Sequence, residues 1–312
     1  MTNQPFLQEV ENDSGLNNLK STQDWLKENK IFIELKLEEH GAIIFKDLPV
    51  KTAEDFDQFV STFNYDTFTY EESLSNAVRI NKTDKVFTAN EAPREVEIFL
   101  HHEMAQTPTY PKNIFFFCKS ASETGGETPL CRSDQLYEAL LKADKALVES
   151  FEKFGVIYNS IMSSGDELIS GQGRSWQKTL GVSSKNDAEA KLSKLGYSWN
   201  WIEDDNLSVT TKTLQATKEL GNGQKSFFNQ VIAASLGWKK NSENQIAPVR
   251  FGNGEEIKES YIELISELAQ SLTLLRSWQD HDILLIDNYR VMHGRKPFAG
   301  NKNREVLVSL TN

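Results

Sequence analysis

The chain of 312 residues reads as an α+β protein, mainly β with helices, built as one domain that carries an insertion. Three observations lead there. Short apolar runs bounded by Gly, Asn or Asp recur near both ends and in the middle: Gly41-Ala-Ile-Ile-Phe-Lys, Asn113-Ile-Phe-Phe-Phe-Cys-Lys, Asp282-Ile-Leu-Leu-Ile-Asp-Asn and Glu305-Val-Leu-Val-Ser-Leu. Each reads as a buried strand. Segments with apolar residues at helical spacing lie between them. A stretch over about residues 160–225, rich in Ser, Gly, Lys and Trp, has few strand signals, and strands on both sides of it favour one interrupted domain over two.

In chain order, residues 1–18 are polar and acidic and are expected to form a mobile N-terminal arm, with the domain proper over 19–312. Ser21 or Thr22 can cap a first helix. His40 near its end would favour the helix dipole when protonated. Gly41 then opens a buried strand, and Thr52-Ala-Glu-Asp starts a second helix with Phe56, Phe59 and Val60 on one face. The aromatic run from Asn113 has high strand propensity. Thr124-Gly-Gly-Glu-Thr is a turn, and Ser133-Asp-Gln-Leu-Tyr-Glu-Ala-Leu-Leu is a capped amphipathic helix. The segment at about 160–225 reads as helices and loops. A long helix is expected at roughly 256–275, its stripe formed by Ile257, Tyr261, Ile262, Leu264, Ile265 and Leu268. The strands from Asp282 and Glu305 complete the chain.

Thirty-four Lys+Arg against 45 Asp+Glu give a formal net charge of −11, which does not attract polyanions. Nucleic acid and membrane surfaces are therefore not expected partners. Cys118 and Cys131 are too few for a disulfide framework or a cysteine zinc motif, and a reducing cytoplasm fits them. No apolar run approaches the ~20 residues a membrane helix needs. The polar, acidic start is neither a secretory signal nor an Arg-rich transit peptide.

The chemistry concentrates in Leu100-His101-His102-Glu103 and Met292-His293-Gly294-Arg295. On extended backbone, positions i and i+2 share a face, so His101 and Glu103 can grip one metal ion while His102 faces away. His293, read as lying in a turn just beyond the strand that ends at Asp287-Asn288, can complete a two-histidine, one-carboxylate face. Such a face leaves coordination positions open, as non-haem Fe(II) and O₂ chemistry requires, although the same ligands also suit zinc. Arg304 stands before the last strand and can clamp a carboxylate with two parallel hydrogen bonds. Thr128 can donate a hydroxyl bond to the same group. An acid chelating the metal through its 2-oxo and 1-carboxylate groups, and held at its far end by Arg and Thr, describes 2-oxoglutarate.

With these residues in place, the sequence resembles the TauD/TfdA family of Fe(II)- and 2-oxoglutarate-dependent dioxygenases. The resemblance runs from about residue 30 to the end. It rests on Leu100-His-His-Glu-Met-Ala-Gln, Gly125-Gly-Glu-Thr-Pro-Leu, Trp278-Gln-Asp-His-Asp-Ile-Leu-Leu-Ile-Asp-Asn, and His293-Gly-Arg-Lys-Pro-Phe-Ala-Gly with Arg304. Trp176-Gln177 and Phe227-Phe-Asn-Gln230 add to it. The stretch from His101 to Asp134 is most similar to the SyrP-like group of syringomycin-type aspartyl hydroxylases. The resemblance implies a double-stranded β-helix, or jelly roll, with helices packed outside. It implies iron on His101, Glu103 and His293, and 2-oxoglutarate on Arg304 and Thr128, with Arg295 and Lys302 as alternative clamps. It further implies hydroxylation of an unactivated C–H bond by O₂, releasing succinate and CO₂. The family more often has Asp where Glu103 stands. Halogenating relatives have a small residue there, so the carboxylate implies hydroxylation.

A small polar substrate, an amino acid free or tethered to a carrier protein, is the expectation, with a role in antibiotic biosynthesis. Its candidate contacts are Arg79, Asn81, Thr88 and Asn90 ahead of the metal segment, and Arg174 and Gln177 in the insertion, which is read as a lid. Phe115, Phe116 and Phe117 could line the site, although a core role suits at least two of them. Two competing functions use the same residues: a zinc hydrolase on the same three ligands, and a non-catalytic binding protein on the same fold.

Overall fold

The computed structural model describes residues 6–69, 74–75, 77–166, 173–221, 223–238 and 246–312. Two antiparallel sheets face each other across an apolar core. The larger has six strands in the order Gln8–Val10, Ala42–Phe45, Ile283–Asp287, Asn113–Ser120, Glu305–Thr311 and Phe87–Thr88, antiparallel except at its first pair. The smaller has four, in the order Thr273–Arg276, Thr128–Arg132, Val291–Arg295 and Ile98–His101. This is the jelly-roll core, and the α+β class holds.

The period-2 alternation of the central strands explains the layering. Ile114, Phe116 and Cys118 point between the sheets with Leu284, Ile286, Val306 and Val308, where they meet Leu130, Val291 and Met104. Phe115 and Phe117 point the opposite way, with Ile43, Phe45, Ile283 and Leu285, onto the helices Leu19–His40 and Ala53–Ser61. Those helices answer with Leu26, Ile33, Leu37, Phe56 and Phe59. On the outer face of the smaller sheet, Cys131 and Met292 pack with Leu136, Leu140, Phe151 and Ile265 from the helices Ser133–Ala143, Lys145–Phe154 and Glu259–Ser271.

The helix Ala53–Ser61 begins with a complete capping box: the Thr52 hydroxyl accepts from Asp55 N, and the Asp55 carboxylate accepts from Thr52 N. Thr52→Ala should lower unfolding free energy by about 1 kcal/mol, read as a shift in denaturant midpoint.

Several expectations need correction. The first helix is capped by Asn18, whose side chain accepts from Ser21 N at 2.9 Å, so it starts ahead of Ser21 and Thr22. Asn caps as well as Ser or Thr, and the competition is settled by the extended backbone at Asn18. The arm expected over 1–18 is tied down from Leu7 onward: Leu7 is buried and Gln8–Val10 pairs in parallel with Ala42–Phe45. Residues 1–5 lie outside the described ones. The helix expected to reach residue 275 stops at Ser271, because Thr273–Arg276 pairs with Thr128–Cys131 as an edge strand. Periodicity alone cannot separate a helix end from a strand four residues long.

The insertion contains the helices Trp176–Leu180 and Lys185–Leu195 as expected. It also contains the strands Ser198–Trp201 and Leu207–Thr210, which join Val156–Met162 and Val249–Phe251 in a second antiparallel sheet of four. Trp176, Leu180, Leu192, Tyr197 and Val209 form its own small core.

Candidate metal centre and cosubstrate pocket

His101 is the last residue of Ile98–His101, and His293 lies in the middle of Val291–Arg295, not in a turn. The two are direct partners in the antiparallel register, and their ring centroids are 4.5 Å apart. The turn falls earlier, at Asn288–Arg290, where Arg290 N donates to Asp287 O.

Glu103 lies beyond the strand end, so strict strand alternation does not place it. The Asn288 amide does. Its Oδ1 accepts from Glu103 N at 2.8 Å, and its Nδ2 donates to Glu103 O at 3.0 Å and Pro111 O at 2.8 Å. Met104 follows in left-handed backbone, turning the chain away. His102 points to the other side as expected, against Phe228, with its Nδ1 bonded to Asn288 O.

One ligand atom from each of His101, Glu103 and His293 lies within 4.8 Å of the others, the one such group of metal-ligating side chains among the described residues. Glu103 Oε2 is 3.5 Å from His293 Nε2. His101 Nδ1 is 2.8 Å from Phe99 O. A carbonyl only accepts, so the proton sits on Nδ1 and the Nε2 lone pair is free for a metal. Burial, then the neighbouring His293, holds the His101 pKa down to about 4, against the pull of Glu103 and the Phe99 bond. The imidazole is therefore neutral at pH 7, as ligation requires. Burial alone would favour the protonated carboxyl at Glu103, but Arg79, His293 and His101 together hold its pKa well below the usual carboxylate range. Donor types, protonation states and spacing fit a divalent ion.

These three residues open onto a cavity of about 590 Å³ that Thr128, Arg304, Phe116 and Arg79 also line. Phe116 alone of the three phenylalanines reaches it, 5.2 Å from the His293 ring between centroids. Thr128 Oγ1 accepts from Trp278 Nε1 at 2.9 Å, which leaves the hydroxyl proton to donate. Arg304 is half-buried, its Nη2 donates to Gly126 O at 3.2 Å, and its buried Nε has no protein partner. Gly126 makes that placement possible: a Cβ there would stand 2.9 Å from Arg304 Nε, and its φ is +74°. A half-buried guanidinium whose buried Nε–H is unanswered, beside a hydroxyl donor, fits a carboxylate ligand.

The alternative clamps are already committed. Arg295 donates to the backbone oxygens of Asn90, Ala92, Pro93 and Val96. Lys302 is exposed and paired with Asp280 at 2.8 Å.

Of the six residues suggested for substrate, Arg79 and Asn90 line the cavity, and Asn81, Thr88, Arg174 and Gln177 are not among its walls. Asn81 is exposed. The buried Thr88 hydroxyl accepts from Ile80 N, and Arg174 reaches back to Ser75 O. Gln177 lies at a separate surface depression. Sequence reasoning missed Gln106, Asn159, Ser160, Ser163, Asn206 and Gln230, which supply polar groups to the cavity wall. Asn159 and Ser160 come from Val156–Met162, a strand that the sequence does not mark and that straddles the start of the expected insertion. Asn288 was also passed over, although an amide directly after an apolar strand is a buried polar group that needs partners.

The family model described as "Taurine catabolism dioxygenase TauD, TfdA family" matches residues 7–310. A clavaminate synthase-like protein of Arabidopsis thaliana is 33% identical over 286 residues, covering 91% of this chain and 86% of that protein. The dapdiamide synthesis protein DdaC of Enterobacter agglomerans is 27% identical over 289 residues, covering 88% and 83%. Among solved structures, AAD-2 in complex with Mn(II) and N-oxalylglycine has a TM-score of 0.52 at 14% identity, covering 98% of this chain and 94% of that one.

Proposed function

Because the chain belongs to the TauD/TfdA family of Fe(II)- and 2-oxoglutarate-dependent dioxygenases, we propose that His101, Glu103 and His293 are its iron ligands and that Arg304 and Thr128 hold 2-oxoglutarate. One observation carries this: the three ligand atoms cluster at the floor of the same cavity that Arg304 and Thr128 line. Iron and 2-oxoglutarate, when bound, supply the oxidative chemistry, in which O₂ hydroxylates a C–H bond and 2-oxoglutarate leaves as succinate and CO₂. The chain's own part is binding, orientation and exclusion of water. Phe99 and Asn288 fix the ligands, Arg304 and Thr128 answer the distal carboxylate, and Phe116 keeps the His293 side of the site apolar.

The substrate in this reading is a small amino-acid-like molecule, free or presented on a carrier protein. The amides and hydroxyls of Gln106, Asn159, Ser160 and Gln230 around Arg79 suit a polar ligand, and similarity to a protein named for dapdiamide synthesis supports a biosynthetic role. The reaction is hydroxylation and the setting cytoplasmic. No helix among the described residues is long and apolar enough to cross a membrane.

The test is anaerobic. Fe(II) added to metal-free protein, followed by 2-oxoglutarate, should produce the visible charge-transfer absorption of an Fe(II)–2-oxo acid chelate. Well-folded, iron-loaded protein that gives no band with 2-oxoglutarate would overturn the site assignment. A positive result leads to a substrate screen by mass spectrometry for one added oxygen.

A further inference from the structure

The geometry points to Arg79 as a positioning residue for Glu103, an inference that rests on the proposed metal site. Arg79 Nη2 lies 2.8 Å from Glu103 Oε1, and the two side chains are only 6% and 5% exposed. The other oxygen, Oε2, is the one turned to His293. The guanidinium therefore occupies one carboxylate oxygen and presents the second to the metal position.

Glu needs such help more than Asp would. Its additional methylene adds a rotatable bond, and Asn288 fixes only its backbone. Arg79 is itself held from both sides. Its guanidinium carbon lies 5.3 Å from the centre of the Phe87 ring. Its backbone neighbours are laced to the segment that follows: Thr88 N donates to Ile80 O, Ile80 N donates to Thr88 Oγ1, and Glu91 N donates to Val78 O. Thr88 thus serves the site at one remove, by fixing the strand-like segment that carries Arg79.

Mn(II) alone is the probe, added to the full chain and titrated by the electron paramagnetic resonance signal of free Mn(II). Arg79→Met should weaken binding about 10- to 100-fold, the usual effect of removing a partner that orients a metal ligand. Arg79→Lys, which keeps the charge but not the planar fork, should recover part of that loss. In a Glu103→Ala background, Arg79→Met should change the residual binding little, because no carboxylate remains to be positioned. Circular dichroism and thermal melts report folding separately, and if Arg79→Met does not fold, Arg79→Lys decides, with several-fold weaker binding expected. Unchanged binding in a folded variant overturns the inference and returns Arg79 to a substrate role. Tighter binding also overturns it, because relief of cation repulsion would then outweigh positioning. A wild-type chain that binds no Mn(II) overturns the metal site itself, whereas a wild type that binds normally beside an unaffected Arg79→Met overturns only the inference.

Discussion

His293→Ala should lose Fe(II) affinity by more than about 100-fold and abolish 2-oxoglutarate-dependent succinate formation. Partners one shell out from a metal are already worth roughly 10- to 100-fold, and a direct ligand is worth more. The proposed site has three protein ligands, so the loss of one would leave a pair that competes poorly with water. His293 is buried in the central strand of the smaller sheet, so the truncation also leaves a small cavity there. A thermal melt separates that cost from the metal effect, and His293→Gln, closer in volume, provides a second readout. His101→Ala should behave alike, since the two rings face each other across one register pair. Equilibrium dialysis against Fe(II) under anaerobic conditions measures both. A folded variant that keeps full iron affinity and activity removes that residue from the ligand set.

Arg304→Leu should raise the 2-oxoglutarate concentration needed for half-maximal turnover while leaving Fe(II) binding almost unchanged. Losing one partner of a charge-assisted pair that the bound ligand would bury costs about 2–5 kcal/mol, which corresponds to a rise of roughly 30-fold or more. Burial lowers the pKa of Arg304, yet a guanidinium remains protonated throughout the working range, so its charge is permanent. The measurement is succinate formation against 2-oxoglutarate concentration, with iron affinity taken in parallel. An unchanged requirement would move the clamp elsewhere. Arg295 is a poor substitute because backbone carbonyls already take its Nη1 and Nη2 donors, and Lys302 because it faces solvent.

Much of this site was legible in the chain itself. Histidines are few, five in the chain, and His101 and His293 stand where apolar strand signals end or resume, with Glu103 two residues after the first. The expectation that at least two of Phe115, Phe116 and Phe117 belong to the core agrees with the structure, where only Phe116 reaches the cavity, but the sequence did not say which one. What was not legible depends on long-range pairing. The opposition of His293 to His101 is a register, fixed by strands almost two hundred residues apart in sequence. Asn288 and Arg79 act on Glu103 from opposite directions along the chain, and no local pattern joins them. The strands of the insertion were hidden for a different reason: Ser198–Trp201 and Leu207–Thr210 are short and half polar, so neither propensity nor periodicity marks them strongly. Arg174, in the loop ahead of Trp176–Leu180, and Gln177, within that helix, are suitable by chemistry alone, and chemistry does not specify which way a side chain turns.

The direct pairing of His293 with His101 carries a consequence for how the chain finds its native state. A slip of one residue between these two strands would send one imidazole to the opposite face of the sheet. In the proposed site, an ion held by both rings and by Glu103 would bind only the correctly aligned pair. Occupancy is thus a thermodynamic proofreader of strand alignment: it adds RT ln(1 + [M]/Kd) to the native arrangement and nothing to its shifted competitors.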